Sequence, residues 1–138
     1  MIPVLVLTHG DLAISILNAA QTIDPQLADR TEAMALPWDV DSDSASGSLK
    51  QRLRELDTGE GVLILTDMFG GTPSNLGITF LEDDKVEVIT GVNLPMLVKL
   101  ANLDSSHAGL LAIARQVLEH AREAIRVASD LMRPDAGS

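Results

Sequence analysis

The residues of this chain best suited to chemistry are His9 and Asp67. Each follows an apolar run and a threonine, and glycine comes soon after each: "VLVLTHG" at 4–10 and "VLILTDMFGG" at 62–71. A carboxylate beside an imidazole accepts the N–H of one ring nitrogen. That fixes the tautomer and leaves the other nitrogen with a free lone pair. A histidine held in this way is a nucleophile or a base. The "GGT" at 70–72 supplies main-chain N–H groups that another group can approach closely, because glycine has no side chain. A helix starting at Pro73 or Ser74 would add the positive end of its dipole. An oriented nucleophile beside an anion cradle is the equipment of phosphoryl transfer.

The two residues meet only if the strands that carry them are neighbours. Residues 2–8 and 61–67 are almost unbroken apolar runs, as expected of parallel strands buried on both faces. Residues 31–37 and 85–90 read as two further strands. Between them the period changes to that of helices, over 11–23, 49–57, 74–81, from about 94 to 103 and over 106–132. Asp11 or Gly10 is a candidate cap for the first helix, and Asp24-Pro25 ends it. The stretch "WDVDSDSASGS" at 38–48 reads as a loop, with Asp43 and its later serines as caps for the helix that follows. Strands alternating with helices imply an α/β domain: a doubly wound, mainly parallel sheet of four strands with helices on both faces. Ligands of such sheets bind beyond the C-terminal strand ends, where the winding direction reverses. His9 lies at that edge.

Composition narrows the function further. The chain of 138 residues is 46% apolar and reads as one domain over 1–133 with a frayed tail at 134–138. Its formal net charge of −10 repels nucleic acid and anionic membranes and suits a basic protein partner. There is no cysteine, so thiol catalysis and thiolate metal sites are excluded. No apolar stretch approaches the ~20 residues of a membrane span. No basic segment precedes the first apolar run either, so the cytoplasm is the expected compartment.

The remaining candidates are weaker. Asn75 either caps a helix or braces the glycine loop. Thr8 and Thr66 stand at the edge of the site. Trp38, the only tryptophan, ends the second strand on the same edge and reads as a cover for the core, with lining the site as the alternative. Asp39, Asp41 and Asp43 lack the glycine and distal glutamate of a calcium loop and read as a solvated loop. No metal and no cofactor are expected. His107 and His120 have no matching partners and read as surface residues.

Three motifs, "THG" after the first strand, "TDMFGGTPSN" after the third and "VITGVNLPML" after the fourth, resemble the mannose-type enzyme IIA proteins of the bacterial sugar phosphotransferase system. The likeness runs from residue 1 to about 130. It implies a sheet in the order 2-1-3-4 and a phosphocarrier: His9 phosphorylated, Asp67 orienting it, and the loop of Gly70, Gly71, Thr72 and Asn75 around the phosphoryl group. It implies phospho-HPr as donor, an enzyme IIB histidine on a separate chain as acceptor, and a homodimer without membrane insertion. Members often close the sheet with a C-terminal strand exchanged between subunits. Here "HAREAIRVASDLM" has Ala124 and no breaker before Pro134, so the last helix is expected to continue, with a short fifth strand as the alternative.

Other functions fit less well. The phosphotransfer subunit of dihydroxyacetone kinases would use the same histidine with a different acceptor, and the uninterrupted "GVNLPML" favours the sugar system. A regulatory member of that system without a transport role is a further alternative. A histidine phosphatase needs an arginine where Thr8 stands. A binding module without chemistry leaves the His–Asp pair without a purpose.

Overall fold

The computed structural model describes residues 1–103 and 108–133. Among these residues the strands β1 (Val4–His9), β2 (Thr31–Leu36), β3 (Val62–Thr66) and β4 (Val86–Thr90) form one parallel sheet in the order β2-β1-β3-β4. The helices are α1 (Leu12–Ile23), α2 (Ser42–Leu56), α3 (Thr72–Ile78), α4 (Leu94–Asn102), α5 (Leu110–Glu123) and α6 (Ala128–Leu131). His107 and the tail at 134–138 lie outside the described residues.

Side-chain alternation along the central strands divides the core into two layers. Val4 and Val6 of β1 and Leu63 and Leu65 of β3 pack with Ala13, Leu17 and Ala20 of α1, Leu97 and Leu100 of α4, and Ile113 and Val117 of α5. Leu5 and Leu7, with Val62 and Ile64, face the opposite way, onto Ala45, Leu49 and Leu53 of α2 and Leu76 of α3. Helices therefore cover both faces, as the alternating pattern requires. The first crossover runs outward from β1 to β2, and the second returns past β1 to β3. The winding reverses between β1 and β3, and their C-terminal ends flank the crevice that results.

Leu63 has no exposed surface. Leu63→Ala should lower stability by about 2–5 kcal/mol through lost transfer free energy and an unfilled cavity. Urea denaturation would show this as a lower midpoint at unchanged slope.

The structure departs from the sequence pattern at two helix ends. The loop expected over 38–48 is mostly helix, because α2 begins at Ser42. The Asp41 side chain accepts from Ser44 N at 3.0 Å, and Ala45 is buried one turn ahead of Leu49. A cap and an early apolar contact outweigh the poor helix propensity of the serines. At the other end of the chain, the expected continuous helix stops at Glu123. Ala121 is the last buried residue of α5. Beyond it Ile125 and Val127 are exposed, so no packing supports further turns. The chain resumes only as the four-residue α6, and no fifth strand occurs among the described residues.

Candidate active site

His9 is the last residue of β1, and Asp67 directly follows β3. The parallel register sets Leu7 opposite Thr66, which brings the two strand ends side by side. Alternation turns the His9 side chain to the face of Leu5 and Leu7, the α3 side. His9 Nδ1 lies 2.7 Å from Asp67 Oδ2, and the main-chain N–H of His9 donates to the same oxygen at 2.9 Å. The N–H of Met68 donates to Asp67 Oδ1 at 2.9 Å. An ionised carboxylate only accepts, so Nδ1 carries the ring proton and Nε2 presents its lone pair.

The loop after Asp67 closes on that free nitrogen. A Cβ placed on Gly71 would lie 2.7 Å from His9 Cε1 and 3.3 Å from Nε2, so only glycine lets the main chain pass so near the ring. Gly70 has φ +88° and supplies the left-handed bend of the loop. Its N–H donates to Ser74 Oγ at 3.3 Å, and its carbonyl accepts from Asn75 Nδ2 at 3.4 Å. Thr72 is exposed at the start of α3, where the first N–H groups have no acceptor within the helix. On the β2 side the Trp38 indole stacks on the imidazole, with centroids 4.8 Å apart and planes 15° from parallel.

Residues 3–125 match the family described as PTS system fructose IIA component, EIIA-man. The chain belongs to the EIIA-man family. It is 27% identical over 133 residues to the PTS system fructose-specific EIIA component of Bacillus subtilis, covering 94% of this chain and 88% of that one. It is 32% identical over 132 residues to the PTS system mannose-specific EIIAB component of Escherichia coli K12, where the match covers 91% of this chain but 39% of the relative. Among solved structures, a PTS IIA protein associated with the fucose utilization operon of Streptococcus pneumoniae superposes with a TM-score of 0.80 at 26% identity, covering 95% and 96% of the two chains. The EIIA of Streptococcus agalactiae does so with a TM-score of 0.80 at 24% identity, covering 94% and 98%, a likeness of fold.

The expected site residues of this EIIA-man chain do not all lie together. His9, Asp67, Gly70, Gly71 and Asn75 converge on one crevice, with Thr72 at its rim. Thr8 does not join them, because alternation sends its side chain to the other face of the sheet. There its Oγ1 accepts from Ala13 N at 2.7 Å, the capping role expected of Asp11 or Gly10. Thr66 is fully buried, and its Oγ1 has no partner among the described residues. Trp38 belongs to neither apolar cluster and is 80% exposed, so it lines the site and does not cover the core. Asp39 and Asp43 are exposed and Asp41 caps α2. Among the described residues no group of three potential metal ligands occurs. His120 is exposed on α5. Two contributors escaped the sequence reading, Ser74 and the room that Gly10 makes for Trp38. A serine in the first turn of a helix that follows a glycine pair was the available signal for Ser74.

The Asp67 carboxyl feels opposing influences. Burial pushes its pKa up. The main-chain N–H and imidazole of His9 and the N–H of Met68 push it down and prevail, so it is held below the ordinary carboxylate value. A depressed folded-state pKa contributes stability that is complete above the unfolded value of about 3.9 and vanishes as the pH falls through the folded value. The stability difference between wild type and Asp67→Ala should therefore be constant near neutrality and shrink below about pH 4. Urea titrations from pH 7 to 3 would measure it. Phosphoryl uptake by Asp67→Ala should slow by about 100-fold, because the imidazole loses its fixed tautomer. Circular dichroism would establish that the variant remains folded.

Proposed function

We propose that this chain is a phosphocarrier that takes a phosphoryl group from phospho-HPr onto His9 Nε2 and passes it to a histidine of an enzyme IIB. The observation that carries this reading is the 2.7 Å contact between His9 Nδ1 and Asp67, which leaves Nε2 free beside Gly71. In the forward step the Nε2 lone pair bonds to phosphorus as the donor's own bond to phosphorus breaks, and that electron pair leaves with the donor. Nδ1 keeps its proton, so the ring becomes cationic, and the Asp67 carboxylate balances the charge. The main-chain N–H groups at the start of α3 meet the phosphoryl oxygens. Because the ring cation is a good leaving group, the same geometry runs in reverse toward the acceptor.

Protein donors and acceptors suit the rim of the site. Met68 is 60% exposed and Phe69 75%, both on the loop next to Asp67. Exposed Met and aromatic side chains around a reactive group are characteristic of docking surfaces. The net charge of −10 steers basic partners. Exposed Ile125, Val127, Leu131 and Met132 beyond α5 support association with a second copy of the chain. Light scattering should give twice the monomer mass. No helix among the described residues is long and apolar enough to cross a membrane.

The deciding experiment is incubation with labelled phospho-HPr. Label should enter the chain, survive base, be lost in acid, and move on when an enzyme IIB is added. Label that moves only to the ADP-subunit of a dihydroxyacetone kinase would reassign the acceptor. No uptake from phospho-HPr would overturn the reading.

A further inference from the structure

Trp38 is oddly placed for the chain's only tryptophan. A side chain of this size gains most from burial, yet this one is largely exposed and lies flat on an imidazole. Local structure builds the contact. β2 pairs with β1 so that Leu36 stands opposite His9, and the N–H of Gly10 donates to Leu36 O at 2.7 Å. A turn closed by Val40 N and Pro37 O at 3.1 Å then carries Trp38 over the end of β1. Gly10 leaves the space, since a Cβ there would come within 3.2 Å of Trp38 Nε1.

We propose that Trp38 is a positioning residue for phosphoryl transfer, holding the His9 ring in the plane in which Nε2 meets the incoming phosphorus. This role rests on His9 being the phosphoryl acceptor. The terminal torsion of a histidine is broad and weakly restrained. The Asp67 contact fixes one edge of the ring but tolerates tilt, and a stacked indole removes the tilt. The contact also strengthens as the reaction proceeds. When Nε2 bonds to phosphorus the ring becomes cationic, and the face of an indole attracts a cation. Stabilisation that grows toward the transition state raises the rate of the chemical step, not the strength of docking.

The test compares wild type, Trp38→Phe and Trp38→Leu with two phosphoryl donors. Phospho-HPr docks on the rim. Phosphoramidate is too small to dock and releases ammonia as its P–N bond breaks. Trp38→Leu should lower the limiting rate with phospho-HPr by about tenfold at an unchanged half-saturating concentration, the rate equivalent of one stacked cation contact. The rate with phosphoramidate should fall by the same factor, and Trp38→Phe should recover most of both. A weaker half-saturation for phospho-HPr with a normal phosphoramidate rate would make Trp38 a docking residue and overturn the proposal. Equal rates in all three proteins would also overturn it.

The stack can be read without any phosphoryl group. The chain has one tryptophan and no tyrosine, so its indole emission is that of Trp38. His9→Ala should change that emission in the unphosphorylated protein, and an unchanged spectrum would overturn the contact. Uptake by wild type with indifferent Trp38 variants would sink this proposal alone. No uptake from either donor would sink the acceptor reading together with it.

Discussion

His9→Ala should take up no labelled phosphoryl group from phospho-HPr, while His120→Ala should label like wild type; this is the largest effect expected in the molecule. His120 is exposed on α5 and makes no charged or stacked contact with the site. His9 has both an oriented proton at Nδ1 and an open Nε2. Removing the imidazole removes the proposed acceptor atom, so no partial activity should remain. The fold should survive, because His9 belongs to neither apolar cluster. Thermal unfolding would check this, and autoradiography after transfer would check the chemistry. Persistent label in His9→Ala would place the phosphoryl group elsewhere.

Gly71→Ala should be nearly as severe, for a reason of space. Gly71 has φ −82° and ψ 169°, a backbone conformation open to any residue, so alanine brings no strain. What it brings is a methyl group 2.7 Å from His9 Cε1. The loop and the imidazole must then separate. Either the ring tilts away from Asp67 or the cradle withdraws from Nε2. Displacements of about 1 Å in such a site cost on the order of 100-fold in rate. Phosphoryl uptake should fall by at least that factor with little change in the urea midpoint. Gly70→Ala makes the contrast. Nothing lies within 4 Å of a Cβ at that position, but φ is +88°. Its penalty should therefore appear first in the stability of the loop and only secondarily in the rate.

Much of this arrangement was legible in the residues. The unbroken apolar runs of β1 and β3 disclosed a parallel sheet, because strands covered on both faces need no polar side. The matched threonine–histidine and threonine–aspartate endings then located the crevice. Less was legible where one contact overrides a local preference. The serine-rich start of α2 looks like a loop until Asp41 is seen to cap it and Ala45 to anchor it. Trp38 followed the general tendency of large apolar residues to be buried, and only the path of the Pro37–Val40 turn shows why it stands in the open. Thr8 is hard to place from the sequence because an unbroken apolar run carries no alternation by which its face could be told. The stop at Glu123 has no glycine or proline to announce it. It reflects the loss of packing beyond Ala121, which depends on the whole fold.

The carboxylate that holds the His9 imidazole is itself clamped by main-chain N–H groups, one from the end of each central strand. Orientation of the imidazole is thereby anchored in the main chain, while the side chains of Met68 and Phe69 stand exposed and take no part in holding Asp67. Exchanging the side chains of Met68 and Phe69 alone would change the rim that a partner meets and leave His9 oriented, because the N–H that Met68 gives to Asp67 belongs to the main chain. A lineage built on such a division can change its customers without reinventing its chemistry.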